Sequence, residues 1–411
     1  MPDFDVVVWG ASGFTGRLVA EYLHQRYSRS ELKWAIAGRN EAKLKQVRED
    51  IAGSDAGQIP IVIADSNNEA SLTELAGKTR VICTTVGPYA RYGSALVKVC
   101  AESGTHYCDL TGEVQWMRKM IDQHMTVAEN SGARIVHTCG FDSIPSDLGV
   151  HYLQQALFEK TGKYATRIKC RIVDSRGGVS GGTIDSMMAM MEEARVDPSI
   201  LDLLEEPYAL NPLNMPAGKD VNEISGVSYD TDFRQWLAPF VMAAINTRVV
   251  RRSHALLGYP YGEGFRYDES MLMGDGFGGR ARASMVANAS RLVMMAAAFE
   301  PTRSILKKIA PSPGEGPSEE TIEKGFFDIQ LYGWHEDGDI RVQVKGKGDP
   351  GYGATSKMIG ESAVCLAMDN LDSPTGVSTP AVAMGDRLIS RLIDKAGMSF
   401  SVLPDDRSQS G

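Results

Sequence analysis

The chain has no run of about 18 apolar residues, so no segment is expected to cross a membrane as a helix. Its six cysteines (Cys83, Cys100, Cys108, Cys139, Cys170, Cys365) form no C-x-x-C pair. That spacing argues against structural zinc and against a disulfide framework, and it suits a reducing cytoplasm. The histidines show no H-E-x-x-H spacing, which removes support for a metal site. No basic block interleaved with aromatics occurs, and the net charge is −9, so nucleic acid is not an expected partner. No charged-then-apolar leader precedes the first strand pattern, and a signal peptide is not expected. A Tyr-x-x-x-Lys pair, the proton-relay device of short-chain dehydrogenases, is also missing.

What is present begins at residue 4. Phe4-Asp5-Val6-Val7-Val8-Trp9 reads as a buried strand and runs into Gly10-Ala11-Ser12-Gly13-Phe14-Thr15-Gly16. A helical pattern over 17–27 follows. Strand, glycine turn and helix are the context that makes a glycine spacing a dinucleotide-binding signal. Gly10 permits the tight turn, Gly13 admits a pyrophosphate to the backbone, and Gly16 lets the helix pack on the strand.

The second strand (33–37) ends in Gly38-Arg39-Asn40. An NAD site usually carries Asp or Glu there for the ribose 2′-hydroxyl. Here the position offers Arg39, whose charge and fork of donors suit a 2′-phosphate. NADP is therefore the expected cofactor. An arginine solvated at the start of the next helix is the alternative.

Alternation continues through strands at 59–65, 80–87, 106–112 and 134–140, with helices between them. This predicts a doubly wound parallel sheet, a Rossmann domain over residues 1–145. Ligands of such sheets bind beyond the carboxyl ends of the strands. That rule nominates Asp65, then Val86-Gly87-Pro88-Tyr89, Thr111-Gly112-Glu113 and Gly140-Phe141-Asp142-Ser143. Long strands at 167–173, 326–332 and 340–345, the last two joined by an Asp337-Gly338 hairpin signal, predict an inserted α+β substrate or dimerisation domain over 146–350. Helices over 351–400 are expected to return to the first domain. Residues 311–317 read as a linker and 401–411 as a flexible tail.

Two competing motifs occur in the chain. Gly178-Val179-Ser180-Gly181-Gly182 fits a G-x-S-x-G elbow, with His254 or His335 later in the chain, but it lacks the elbow's sheet context and reads better as a glycine-rich turn. Gly77-Lys78-Thr79 resembles the end of a P-loop, yet Leu72 occupies the position of the leading glycine.

Taken together, the glycine loop, Ala37-Gly38-Arg39, Val86 to Tyr89, Tyr107 to Glu113 and Gly140 to Gly149 resemble the saccharopine dehydrogenase-like oxidoreductases. Gly314 to Pro317, Asp349-Pro350-Gly351-Tyr352-Gly353 and Thr379-Pro380-Ala381 resemble the branch containing trans-acting enoyl reductases. The resemblance covers about residues 4 to 400. It implies NADP held at Gly10, Ser12, Gly13, Phe14, Thr15, Arg39 and 86–88, and reduction of a double bond in an acyl or polyketide lipid precursor. The arginines with which saccharopine-forming enzymes bind a di-acidic substrate are not matched. An amino-acid oxidoreductase acting on a C–N bond, or a non-catalytic NADP sensor, remain the alternatives.

An enoyl substrate would need donors facing the thioester oxygen and a proton for the α-carbon. Tyr89, Asp142 and Ser143 are the catalytic candidates, with Tyr92 nearby. Asp142 and Ser143 could instead cap the next helix. The expected partners are an acyl or lipid-like substrate, free or carrier-bound, and a second copy in a homodimer. Peripheral membrane contact is suggested by the apolar run 236–245 followed by Arg248, Arg251 and Arg252; the same run could equally wall an acyl tunnel or be a core helix.

Overall fold

The computed structural model describes residues 2–177, 181–213, 215, 218–220, 224–298 and 316–404. Val6 to Trp9 are buried, and alternate residues face opposite sides: Val6 and Val8 enter one core, Val7 and Trp9 the other. A strand apolar on both faces belongs inside a sheet covered by helices on both sides. β1 (Phe4–Trp9) accordingly lies between β2 (Trp34–Gly38) and β4 (Thr79–Thr84) in a seven-stranded parallel sheet. Its order is β13-β6-β5-β4-β1-β2-β3, with β3 Ile61–Ile63, β5 His106–Cys108, β6 Arg134–Val136 and β13 Gly376–Ser378. Strand order reverses between β1 and β4, and the crevice at that reversal is where such sheets bind nucleotides.

Helices α1 (Phe14–Arg26), α2 (Glu41–Ala52), α3 (Glu69–Gly77), α4 (Tyr89–Tyr92), α5 (Ser94–Ser103) and α6 (Val114–Ser131) cross between these strands. α2 and α3 are capped by Asn40 and Asn68, whose side chains accept the N–H of Lys43 and Ser71. Strand β6 is shorter than its apolar run because Asp109 captures the chain beyond it. Asp109 Oδ1 accepts Thr138 N–H at 3.1 Å, its carbonyl accepts Cys139 N–H at 2.7 Å, and Thr138 adopts a left-handed φ of 61°.

After α7 (Ile144–Thr161), a second seven-stranded sheet forms with order β14-β12-β11-β7-β10-β9-β8. Its strands are β7 Arg167–Arg176, β8 Ser228–Asp230, β9 Gln235–Ala238, β10 Arg266–Leu272, β11 Phe326–His335, β12 Gly338–Lys347 and β14 Met398–Val402. Only β7 and β10 pair in parallel. His335 pairs with Gly338, which makes Glu336-Asp337 the hairpin loop and Gly338 the first residue of β12. Between the strands lie α8 (Gly181–Val196), α9 (Ser199–Glu205), α10 (Ala243–Leu256) and α11 (Gly276–Ala298). The fold is thus α/β with a second sheet inserted, and among the described residues no helix is long and apolar enough to cross a membrane.

The last part of the chain serves both sheets. Helix Thr355–Met368 packs on α1 and on the first sheet, where Tyr22 and Tyr27 donate to the buried Glu361 at 2.6 and 2.7 Å. β13 then borders β6, whereas β14 borders β12. The C-terminal segment therefore returns to the first sheet and ends in the second, and residues 401 and 402 are strand rather than tail. Residues 405–411, expected as tail, lie outside the described residues, as do Gly178 to Ser180 of the elbow-like motif and residues 311–315 of the linker.

Candidate functional site

The carboxyl ends of β1 and β4 meet at Gly10 and Val86. Gly10 has φ +87°, and a Cβ there would strike the Val86 side chain, so only glycine fits. A Cβ on Gly16 would strike Gly10 O and come 2.8 Å from Thr85 Oγ1, so this glycine sets helix-to-strand packing. Gly13 differs. Its added Cβ would meet only Gly10 O, at 3.3 Å, and its φ of −85° suits any residue. Nothing in the fold demands glycine at 13; a close-lying ligand would.

α1 starts without a side-chain cap and without an acidic residue in its first turn, unlike the Asn-capped α2 and α3. Its first N–H groups have no intrahelical acceptor. An anion such as a pyrophosphate would satisfy them. The half-buried Phe14 and Thr15 form this turn, and Ser12 Oγ lies near Gly38 at the end of β2. Next along, Arg39 is exposed and bonds no other described residue, leaving its guanidinium available at the edge of the crevice. Asp65, at the end of β3, has a local partner: Oδ1 accepts Asn67 N–H at 3.0 Å, closing a turn. Val86 N–H donates to Thr84 Oγ1 at 3.2 Å, and a cis bond joins Gly87 to Pro88.

Two of the three expected catalytic side chains are occupied by the fold. Tyr89 is buried; its hydroxyl donates to Thr84 O at 3.3 Å and accepts Leu110 N–H at 3.1 Å, tying β4 to the turn after β5. Burial pushes this phenol well above its usual pKa, with Asp109 adding to the rise. Bonded on both sides, this buried phenol braces β4 against that turn. Ser143 is buried too and does not cap α7 through its side chain. It donates to Asn246 Oδ1 at 2.9 Å, and Asn246 in turn donates to Ser146 and to the buried Glu269. That network clamps α7 to α10 and β10.

Asp142 stands apart. It is half-buried at the end of β6, with its carboxyl over Gly140, and burial pushes its pKa up to about 7. It is the strand-end group able to hold or release a proton near neutrality.

The Asp-Leu-Thr-Gly-Glu block, whose Thr111-Gly112-Glu113 end the strand-end rule nominates for ligand contact, has structural duties that the sequence does not reveal. Asp109 Oδ2 takes Tyr107 OH at 2.9 Å and His137 Nδ1 at 2.7 Å, while Oδ1 takes the N–H groups of Thr111 and Thr138. Glu113 accepts the N–H groups of Tyr89 and Ala90, both at 2.8 Å, and Ser186 Oγ–H at 2.7 Å. Burial raises the Glu113 carboxyl above the usual range. Through Ser186 it fastens α8 across the ends of β4 and β5. Arg91 to Glu192 at 2.7 Å and Gln115 to Glu193 at 3.0 Å hold the same helix. α8 is the methionine-rich helix, with Met187, Met190 and Met191 half-buried and Met188 buried.

A cavity of about 790 Å³ opens between α6 and α8, walled by Trp116, Ala189, Ile200 and Leu203 among others. It flanks the site, and no residue of the glycine loop lines it. Of the later motifs, one packs on the glycine loop and the other on α7. Asp349 caps the turn Pro350–Ala354, which brings Tyr352 against Phe14; Tyr352 OH accepts Gly181 N–H at 3.1 Å. Asp147 takes Ser253 Oγ–H at 2.5 Å and Ala381 N–H at 2.8 Å, joining the Ser-Asp end of one motif to Thr379-Pro380-Ala381.

The run 236–245 is split between β9 and α10, and its arginines turn inward. Arg248, Arg251 and Arg252 are each under 4% exposed, bonding carbonyls such as Glu206 O, Pro207 O and Val377 O and, for Arg251, Asp220. They are not available to lipid headgroups, which removes the cationic half of the interfacial reading for this segment. Among the described residues, no cluster of three metal-ligating side chains occurs.

Residues 6–136 match the family model for the saccharopine dehydrogenase NADP binding domain. The chain is 40% identical to a Mycobacterium tuberculosis protein provisionally named a trans-acting enoyl reductase, over 97% of each sequence. It is 38% identical to the trans-acting enoyl reductase of Mycobacterium ulcerans, over 95% of this chain and 96% of that one. Apo saccharopine dehydrogenase (L-Glu forming) from Saccharomyces cerevisiae shares the fold with a TM-score of 0.53 at 11% identity, covering 97% of this chain and 99% of that one. The chain belongs to the saccharopine dehydrogenase-like oxidoreductases, in the branch of the trans-acting enoyl reductases.

Proposed function

We propose that the protein is an NADPH-dependent reductase of a carbon–carbon double bond in an acyl thioester of a lipid precursor. Identity of 36–40% to proteins named trans-acting enoyl reductases, spanning both domains, is the observation that carries the reading. The uncapped α1, a glycine at 13 that the fold does not demand, and Arg39, which bonds no described neighbour, support NADP as the bound group. NADPH would supply hydride to the β-carbon. Of the chain's own residues, Gly13 to Gly16 would hold the pyrophosphate and Arg39 the 2′-phosphate. Asp142, protonated in part at neutral pH, would deliver a proton to the α-carbon. The methionines of α8 offer an apolar, adaptable wall for an acyl chain beside the strand ends.

The C–N alternative has less support. A di-acidic amino acid needs free cations, and the buried arginines Arg171, Arg248, Arg251 and Arg252 already bond carboxylates or carbonyls. The test is consumption of NADPH with a 2-enoyl thioester, followed by mass spectrometry of the product. Gain of two hydrogens on the acyl chain supports the reading; turnover with amino acids or amines and none with enoyl thioesters would overturn it.

A further inference from the structure

α11 breaks the usual rule for surface helices. Its inner side is anchored at β9: Ala283 is fully buried, a Cβ on Gly279 would strike Gly274 O, and Arg282 Nε–H bonds Met273 O at 2.9 Å. From Ser284 to Ala296 no residue is buried. The outward side nonetheless carries Phe277 (87% exposed), Met285 (73%), Leu292 (65%) and Met295 (53%), spaced to share one helical face. A helix apolar on both sides is normally covered on both, and an exposed stripe of this length marks an interaction surface.

The charges say what covers it. α11 holds three arginines (Arg280, Arg282, Arg291) and no acidic residue over 23 positions, in a chain whose net charge is −9. Arg280 sits over the Trp236 ring at 5.2 Å, and Trp236 meets the exposed Tyr229 edge-on, so aromatics and a cation gather at one end of the stripe. Two copies paired through this face would bring arginines together, offset only by Asp275, which precedes the helix and already accepts Tyr229 OH at 3.2 Å. An apolar face flanked by arginines and interfacial aromatics fits an anionic lipid surface, with the helix lying in its plane. We propose that α11 seats the protein on anionic membranes. α11 also packs against α8, so the stripe adjoins the methionine-rich helix over the strand ends. The docking surface does not depend on which reaction the site performs.

The test is co-sedimentation of the full chain with phosphatidylglycerol/phosphatidylcholine vesicles and with phosphatidylcholine alone, comparing wild type with Met285→Glu/Leu292→Glu. Wild type should pellet with the anionic vesicles, far less with the neutral ones, and be released by high salt. The double variant should lose at least about tenfold in vesicle affinity, with its thermal midpoint within about 2 °C because both side chains are exposed. Unchanged NADPH affinity in the variant separates this surface from the cofactor site. Absence of vesicle binding by wild type, or equal binding by the variant, overturns the proposal. So does a dimer that the double variant splits while vesicles are ignored, or capture of an acidic acyl carrier in place of vesicles.

Discussion

The ring of Phe14 meets that of Tyr352 edge-on, with centroids 4.9 Å apart and planes at 79°. One residue belongs to the glycine turn and the other to a motif 338 positions later, and the Tyr352 hydroxyl carries the link on to Gly181 at the start of α8. The contact fixes the far wall of the nucleotide crevice to the helix above it. An aromatic pair of this geometry is worth about 0.5–1.5 kcal/mol beyond area burial. Tyr352→Ala should therefore weaken NADPH binding several-fold and lower the thermal midpoint. Tyr352→Phe should keep cofactor affinity within about twofold yet speed amide exchange in the first turn of α8, since only one hydrogen bond is lost. If the two variants behave alike in both measurements, the ring contact has no role.

Arg39 is exposed and bonds no described neighbour, so its removal should cost the fold little. Arg39→Ala should weaken NADPH binding by about 10- to 100-fold, the loss of charge-assisted hydrogen bonds worth roughly 1.5–3 kcal/mol. NADH binding should hardly change. Equal losses for the two nucleotides in calorimetric titration would remove Arg39 from the 2′-phosphate site.

The two later glycines of the loop should fail differently. Gly16→Ala forces a Cβ against Gly10 O and should lower thermal stability markedly. Gly13→Val has room on the protein side, save for Gly10 O at 3.3 Å, and should fold while losing both nucleotides. A Gly13→Val protein with near-normal NADPH affinity would mean the pyrophosphate lies elsewhere.

Asp142 carries a pH signature. Its folded pKa, raised to about 7, lies above that of an unfolded aspartate near 3.9, so the folded state holds the proton more tightly. The contribution is full below the unfolded value and is lost progressively as pH rises to about 7. Asp142→Asn should thus raise the thermal midpoint relative to wild type at pH 8, with the difference shrinking toward pH 4. If Asp142 is the proton donor, the same variant should lose turnover while keeping NADPH affinity. A turnover profile identical to wild type would end that assignment.

The nucleotide-binding half was legible because its signals are local. Apolar strand, glycine triplet and helix follow one another within residues 4–26, and the parallel sheet follows from the same alternation. The roles of Tyr89 and Ser143 were not legible, because their partners come from other elements: Leu110 lies 21 positions away and Asn246 lies 103. A hydroxyl at a strand end looks the same in sequence whether it faces a ligand or a buried amide. Arg248, Arg251 and Arg252 misled for a related reason. Three cations beside an apolar run suggest a wet surface, and only the fold reveals the carbonyls of 204–210 that receive them. The exposed stripe on α11 is not legible as a surface, because a helix apolar all round reads as core until its neighbours are known.

The placement of β13 and β14 bears on how the chain is made. Each sheet takes an edge strand from residues 376–402, and helix Thr355–Met368 fills the core beneath β1 and β4. A nascent chain that has emerged only to residue 350 holds the whole nucleotide loop, yet it lacks the helix that covers one face of its sheet. Neither sheet can reach its final packing until residues 355–402 have emerged. The glycine loop is thus made well before the helix that secures its sheet.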